Sequence, residues 1–143
     1  MTNPPDVLFV CVHNAGRSQM AKAIFNKVAK ERGLGLVADS AGTIPAKSVH
    51  PEVQLVMSEI GIDLSNETGK LLIDELIDNQ VKVITMGCNV DSEACPSLRL
   101  EEVVDWGLPD PKDQPLSEVR RIRDEISSRV HDLIDEFGIT SNA

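Results

Sequence analysis

Six apolar residues in unbroken succession, Val7 to Val12 in Asp6-Val-Leu-Phe-Val-Cys-Val12, open the chain's hydrophobic pattern. A run of strand length that is rich in β-branched residues and shows no polar alternation predicts a strand buried on both faces. Beyond a short loop, Met20, Ile24, Phe25 and Val28 recur at helical spacing, predicting a helix capped by Ser18, running to about Arg32 and ending at Gly33. Leu36-Val-Ala-Asp-Ser40 predicts a second strand. His50-Pro51 opens another helix, in which Val53, Val56, Met57 and Ile60 repeat before Gly61, and Pro at the first helical position is favourable. A third helix is expected over Leu71 to Asn79, then strands at Val81–Thr85 and Glu102–Asp105. The last element is the clearest: from Ser117 to Phe137, Val119, Ile122, Ile126, Val130, Leu133 and Phe137 step by threes and fours along a charged helix.

Strands alternating with helices of these lengths predict a parallel sheet covered on both faces, a three-layer α/β sandwich. Such sheets bind ligands beyond the carboxyl ends of their strands. The segment Cys11 to Ser18 leaves one such end and Cys88 leaves another. No internal repeat, low-complexity tract or linker interrupts the pattern, and residues 1–143 are expected to form one domain.

Charge narrows the ligand class. A formal charge of −9 and a pI near 4.7 argue against a nucleic-acid partner, which needs a concentrated basic surface. A small anion remains compatible, because salt screens long-range repulsion over about 8 Å and a local positive pocket can operate on an acidic protein. No apolar run approaches the length of about 20 residues that spans a bilayer, and Met1 to Asp6 lacks the basic start of an export signal, so no membrane association and a cytoplasmic location are expected. Three cysteines, Cys11, Cys88 and Cys95, are too few for a secreted disulfide framework. The spacing of Cys88 and Cys95, with His13, His50 and His131 distant in sequence, does not suggest zinc.

The chemistry is expected in Cys11-Val12-His13-Asn14-Ala15-Gly16-Arg17-Ser18. Cysteine, five residues and arginine between a buried strand and a helix suit a loop wrapped around a tetrahedral anion. Backbone N–H groups and the helix start provide donors and positive potential, and Arg17 can grip two oxygens. The same field would favour the thiolate of Cys11, the nucleophilic form. Ser18 is placed to hydrogen-bond the sulfur or to cap the helix, Asn14 to pin the loop through backbone hydrogen bonds, and His13 has no assigned role. The competing reading is a core cysteine that packs as a small hydrophobe.

The loop, the following Ser18-Gln19-Met20-Ala21, Asp39-Ser40-Ala41-Gly42 and Trp106-Gly107-Leu108-Pro109-Asp110-Pro111 resemble the low-molecular-weight tyrosine phosphatase superfamily, in particular its arsenate reductase branch. The resemblance spans nearly the whole chain. It implies a three-layer sandwich with a central four-stranded parallel sheet, Cys11 as nucleophile, and Asp110 as the acid that protonates the departing oxygen. Asp110 could otherwise be a turn residue, since Pro-Asp-Pro is good turn chemistry. The resemblance further implies a relay: Cys11 forms an arsenic–sulfur adduct, Cys88 attacks Cys11, and Cys95 attacks Cys88 to leave a disulfide that a thioredoxin reduces. No cofactor is implied.

Three alternatives stay open beside this one. A phosphatase would work through a phosphocysteine, a reductase could use a small-molecule thiol with a glutaredoxin-like partner, and a sensing module could bind an anion without turnover. Lys112-Asp113 after Asp110-Pro111, and the absence of tyrosine, suit a small inorganic oxyanion such as arsenate or phosphate better than an aromatic ester. The chain departs from its relatives in three places. Lys22 and Lys70 stand where some reductases of the branch have acidic side chains that hold potassium, so no metal is expected and a lysine amine would replace the cation's charge. Gly16 occupies a position where cysteine is frequent, and His13 one where glycine is common.

Overall fold

The computed structural model describes residues 5–72, 82–86, 104–109 and 111–141. The elements follow the order β1 (Val7–Cys11), α1 (Arg17–Glu31), β2 (Ala38–Gly42), α2 (Pro51–Ser58), β3 (Lys82–Thr85), β4 (Val104–Asp105) and α3 (Leu116–Ser141). The four strands form one parallel sheet in the order β2-β1-β3-β4. Because β1 lies at the centre, it is buried along its whole length, as an unbroken apolar run requires. Val7, Phe9 and Cys11 join the core made with α1, α2 and α3, while the intervening Leu8 and Val10 are equally buried on the other face. Helices and sheet thus form the expected three-layer α/β arrangement.

Several boundaries move for physical reasons. The first helix begins at Arg17 with Gly16 as N-cap, and no side chain caps it, so Ser18 is a helical residue and not the cap. At the other end, Gly33 adopts φ +69 and donates to the Lys30 carbonyl while Leu34 N–H donates to Ala29, the Schellman ending expected of a glycine there. The second strand lies two residues later than its hydrophobicity suggests. Asn26 brackets Ala38, accepting from its N–H and donating to its carbonyl, whereas Val37 is left largely exposed. The register then pairs Cys11 with Gly42. That pairing demands glycine, since a Cβ at position 42 would lie 2.4 Å from the Val12 carbonyl oxygen.

Pro51 occupies the first turn of α2, and Gly61 turns the chain after it with φ +82. Leu71 makes an isolated parallel bridge to Gly42 in place of starting a helix, and residues 73–79 of the expected third helix lie outside the described residues. The last helix carries the expected stripe: Val119, Ile122, Ile126, Val130 and Leu133 are buried, and Phe137 packs at the margin of the core, edge-on to Phe25. Glu59, beyond α2, bridges to Arg120 and Arg123 of α3.

Candidate active site

β1 is paired with β2 on one side and β3 on the other, so the chain leaves it in opposite directions, and the crevice beyond its carboxyl end is where ligands collect in such sheets. Cys11 is the last residue of that strand. The loop after it turns sharply at Asn14, which has φ +50, a conformation that asparagine tolerates better than most residues. The Gly16 carbonyl accepts the first helical bond from Met20, so the preceding N–H groups of the turn have no acceptor within α1.

The hydrogen bonds around Cys11 form one buried chain, and toward a Cys11 thiolate Ser18 Oγ can only be the donor. Asn14 N–H donates to Cys11 Sγ at 3.2 Å. The Asn14 side-chain carbonyl accepts from Lys70 N–H at 2.9 Å and from Gln19 Nε2 at 3.2 Å, which fixes the amide so that Nδ2 donates to Ser18 Oγ at 2.8 Å. With Ser18 Oγ already accepting, its own hydrogen is available for Cys11 Sγ, 2.8 Å away. This buried chain supports the sulfur-binding reading of Ser18. It also shows Asn14 acting chiefly through its side chain, with a donor from the distant residue 70.

Arg17 is buried at the start of α1, where Nη1 donates to the carbonyls of Met86, at 2.9 Å, and Leu108, at 2.7 Å. It therefore joins the loop after β1 to the ends of β3 and β4. Since both Nη1 hydrogens are engaged, a bidentate grip on an anion must use the Nε and Nη2 edge.

Cys11, Val12, His13, Ala15, Gly16, Arg17, His50 and Lys112 line a cavity of about 200 Å³. That is smaller than the roughly 300–1,000 Å³ of ordinary small-molecule pockets and suits an inorganic oxyanion. The His13 ring is bonded to the Ile44 carbonyl at 3.0 Å, which ties the loop to the chain after β2. His50 and Lys112 were not singled out as site residues by the sequence pattern. His50 reads there as the start of a helix, although a cation two residues beyond Asp110 is a usable signal. Asp110, Cys88 and Cys95 lie outside the described residues.

Lys22 and Lys70 do not enter this cavity. They line a neighbouring one of about 230 Å³ with Asn14, Gln19, Asp39 and Ser40. There Lys70 Nζ bonds to Asp39, and Lys22 Nζ lies 3.6 Å from Asp39 and 3.9 Å from Glu67. Their ammonium charge is thus balanced locally by carboxylates, and Lys70 reaches the loop through its backbone N–H.

The sequence profile of the family described as low molecular weight phosphotyrosine protein phosphatase matches residues 6–141. A Halobacterium salinarum protein described as a candidate arsenate reductase is 42% identical over 134 residues, covering 90% of each chain. A solved structure described as an arsenate reductase in the phosphate binding state superposes with a TM-score of 0.76 at 32% identity, covering 92% of this chain and 98% of that one. A thioredoxin-dependent arsenate reductase of Corynebacterium glutamicum gives a TM-score of 0.73 at 35% identity, over 98% of this chain and 65% of that one.

Proposed function

The chain belongs to the low molecular weight phosphotyrosine protein phosphatase family, and from that premise we propose that it reduces arsenate to arsenite. The observation that carries the reading is Cys11 Sγ, held 2.8 Å from Ser18 Oγ, in a cavity sized for an inorganic oxyanion. The Cys11 thiolate attacks arsenic while Arg17 and the loop N–H groups hold the remaining oxygens. Asp110 supplies the proton with which one oxygen departs as water. Ser18 stabilises the sulfur as nucleophile and later as leaving group.

Reduction takes two electrons, and two thiols provide them. Cys88 attacks Cys11 Sγ, forming a Cys11–Cys88 disulfide; the sulfur–arsenic bond breaks with its electron pair left on arsenic, which departs as arsenite. Cys95 then attacks Cys88, releasing the Cys11 thiolate and leaving a Cys88–Cys95 disulfide. The dithiol of a thioredoxin takes up that oxidation, in the cytoplasm, where thiols are kept reduced. The likeness to the Corynebacterium glutamicum enzyme supports this donor. Phosphate is nearly isosteric with arsenate and shares the first step, so slow phosphatase activity accompanies the reaction. The chemistry needs no metal, and the Lys22–Asp39–Lys70 cluster supports a site independent of potassium.

The test is arsenate-dependent NADPH consumption with thioredoxin and thioredoxin reductase, in wild type, Cys88→Ser and Cys95→Ser. Both variants lose turnover on this reading, and normal turnover in both would refute the relay. A parallel arm with glutathione and glutaredoxin identifies the other donor class. Exchanging potassium for sodium at constant ionic strength leaves kcat/KM unchanged; strong dependence on potassium overturns that part.

A further inference from the structure

We propose that His50 contacts the bound oxyanion and helps to set the affinity of the Cys11 site. The inference rests on the oxyanion reading of the cavity and not on the thiol relay. His50 lines the same cavity as Cys11 and Arg17. Its backbone N–H donates to the Ala15 carbonyl at 2.9 Å, tying it to the anion loop, and Pro51 immediately follows. Its ring carbon Cδ2 lies 3.5 Å from where a Cβ on residue 16 would stand, an ordinary contact distance that puts the imidazole beside Gly16, the residue before Arg17.

Helix chemistry does not account for this residue. N-cap positions favour Ser, Thr, Asn or Asp, whose side chains bond the first turn, yet His50 is the N-cap of α2 and makes no such bond. The rings of His13 and His131 are bonded to the Ile44 carbonyl and to Arg32, whereas the His50 ring has no hydrogen-bond partner among the described residues. An imidazole on the wall of an anion cavity, its nitrogens unengaged by the described residues, can donate to an oxygen of the ligand. The other charged or titratable groups lining the cavity are Cys11, Arg17, His13 and Lys112, and the described residues place no carboxylate there.

Inorganic phosphate is the probe, and the readout is its protection of Cys11 from iodoacetamide in a Cys88→Ser/Cys95→Ser background, where no relay operates. His50→Asn is the main variant, because asparagine is a better N-cap whose side chain is drawn to the first turn of α2; His50→Ala, which has no side-chain donor, is the second. The phosphate concentration for half-protection is expected to rise about tenfold in either variant at neutral pH, the equivalent of one lost hydrogen bond to a charged ligand. Failure of phosphate to protect wild type would refute the oxyanion reading itself. Protection of wild type and both variants at the same phosphate concentration overturns the role of His50 alone.

Discussion

Replacing Asn14 by alanine removes three side-chain contacts of a fully buried residue: the acceptor for Lys70 N–H, the acceptor for Gln19 Nε2 and the donor to Ser18 Oγ. Gln19 keeps two other acceptors, the carbonyls of Asn14 and Thr68, so its loss is minor. Lys70 N–H keeps none of those described, but it belongs to an exposed residue and its bond is part-buried, so the loss is the net worth of one hydrogen bond, about 0.5–1.5 kcal/mol. The left-handed backbone at residue 14 costs alanine about 1 kcal/mol more. The expected loss of stability is therefore roughly 1.5–2.5 kcal/mol, read from urea unfolding.

The effect on the nucleophile is separable. The Asn14 donor orients Ser18 Oγ and strengthens its donation to a Cys11 thiolate, and the variant loses that support. A hydrogen bond to a charged group is worth about 1.5–3 kcal/mol, so the midpoint of the pH profile for Cys11 alkylation should rise by roughly one to two units. Asn14→Gly relieves the backbone cost and recovers about 1 kcal/mol of stability but leaves the alkylation midpoint raised. Asn14→Asp keeps the acceptor for Lys70 N–H but replaces the donor by a negative charge, and should raise the midpoint furthest. The measurement uses the Cys88→Ser/Cys95→Ser background, in which Cys11 is the only thiol. A wild-type midpoint in Asn14→Gly would refute the argument that the side-chain chain from residue 70 to the sulfur sets the thiolate.

Two further outcomes test the frame around the loop. Gly42→Ala places a methyl 2.4 Å from the Val12 carbonyl and 3.0 Å from two more backbone atoms that cannot rotate away, so it should destabilise by about 3 kcal/mol or more in urea. Gly35→Ala, with nothing within 4 Å, is the near-neutral control. In Glu59→Gln the thermal midpoint should fall slightly near neutral pH. The hydrogen bond from Arg120, and then that from Arg123, hold the Glu59 carboxyl below its ordinary range against an opposing desolvation. A depressed carboxyl contributes stability above its unfolded pKa, so the gap between wild type and variant should close as pH falls below about 4; a gap constant with pH contradicts the assignment.

The elements that local periodicity identifies best are those whose environment is uniform. β1 reads as buried from sequence because the central strand of a parallel sheet meets apolar layers on both faces, and α3 because one stripe faces the core throughout. Boundaries fail where a long-range partner intervenes. Leu36 and Val37 look like strand, but Asn26 and the Cys11–Gly42 register shift β2 toward the loop. Ser18 looks like a cap because serine usually is one; here its hydroxyl is engaged by Asn14 and Cys11, and Gly16 takes the cap position.

By itself the sequence determined the alternation of strands and helices, and the place of Cys11, Arg17 and Ser18 between a buried strand and a helix, because both are properties of neighbours along the chain. Tertiary structure decided what surrounds them. Lys70 N–H orients Asn14, the Met86 and Leu108 carbonyls engage one edge of Arg17, and His50 packs beside Gly16 at the wall. These contacts span from 34 to 91 residues and carry no local periodicity. They exist because a parallel sheet gathers the carboxyl ends of β1, β3 and β4 at one edge, where segments distant in sequence must satisfy one another's hydrogen bonds.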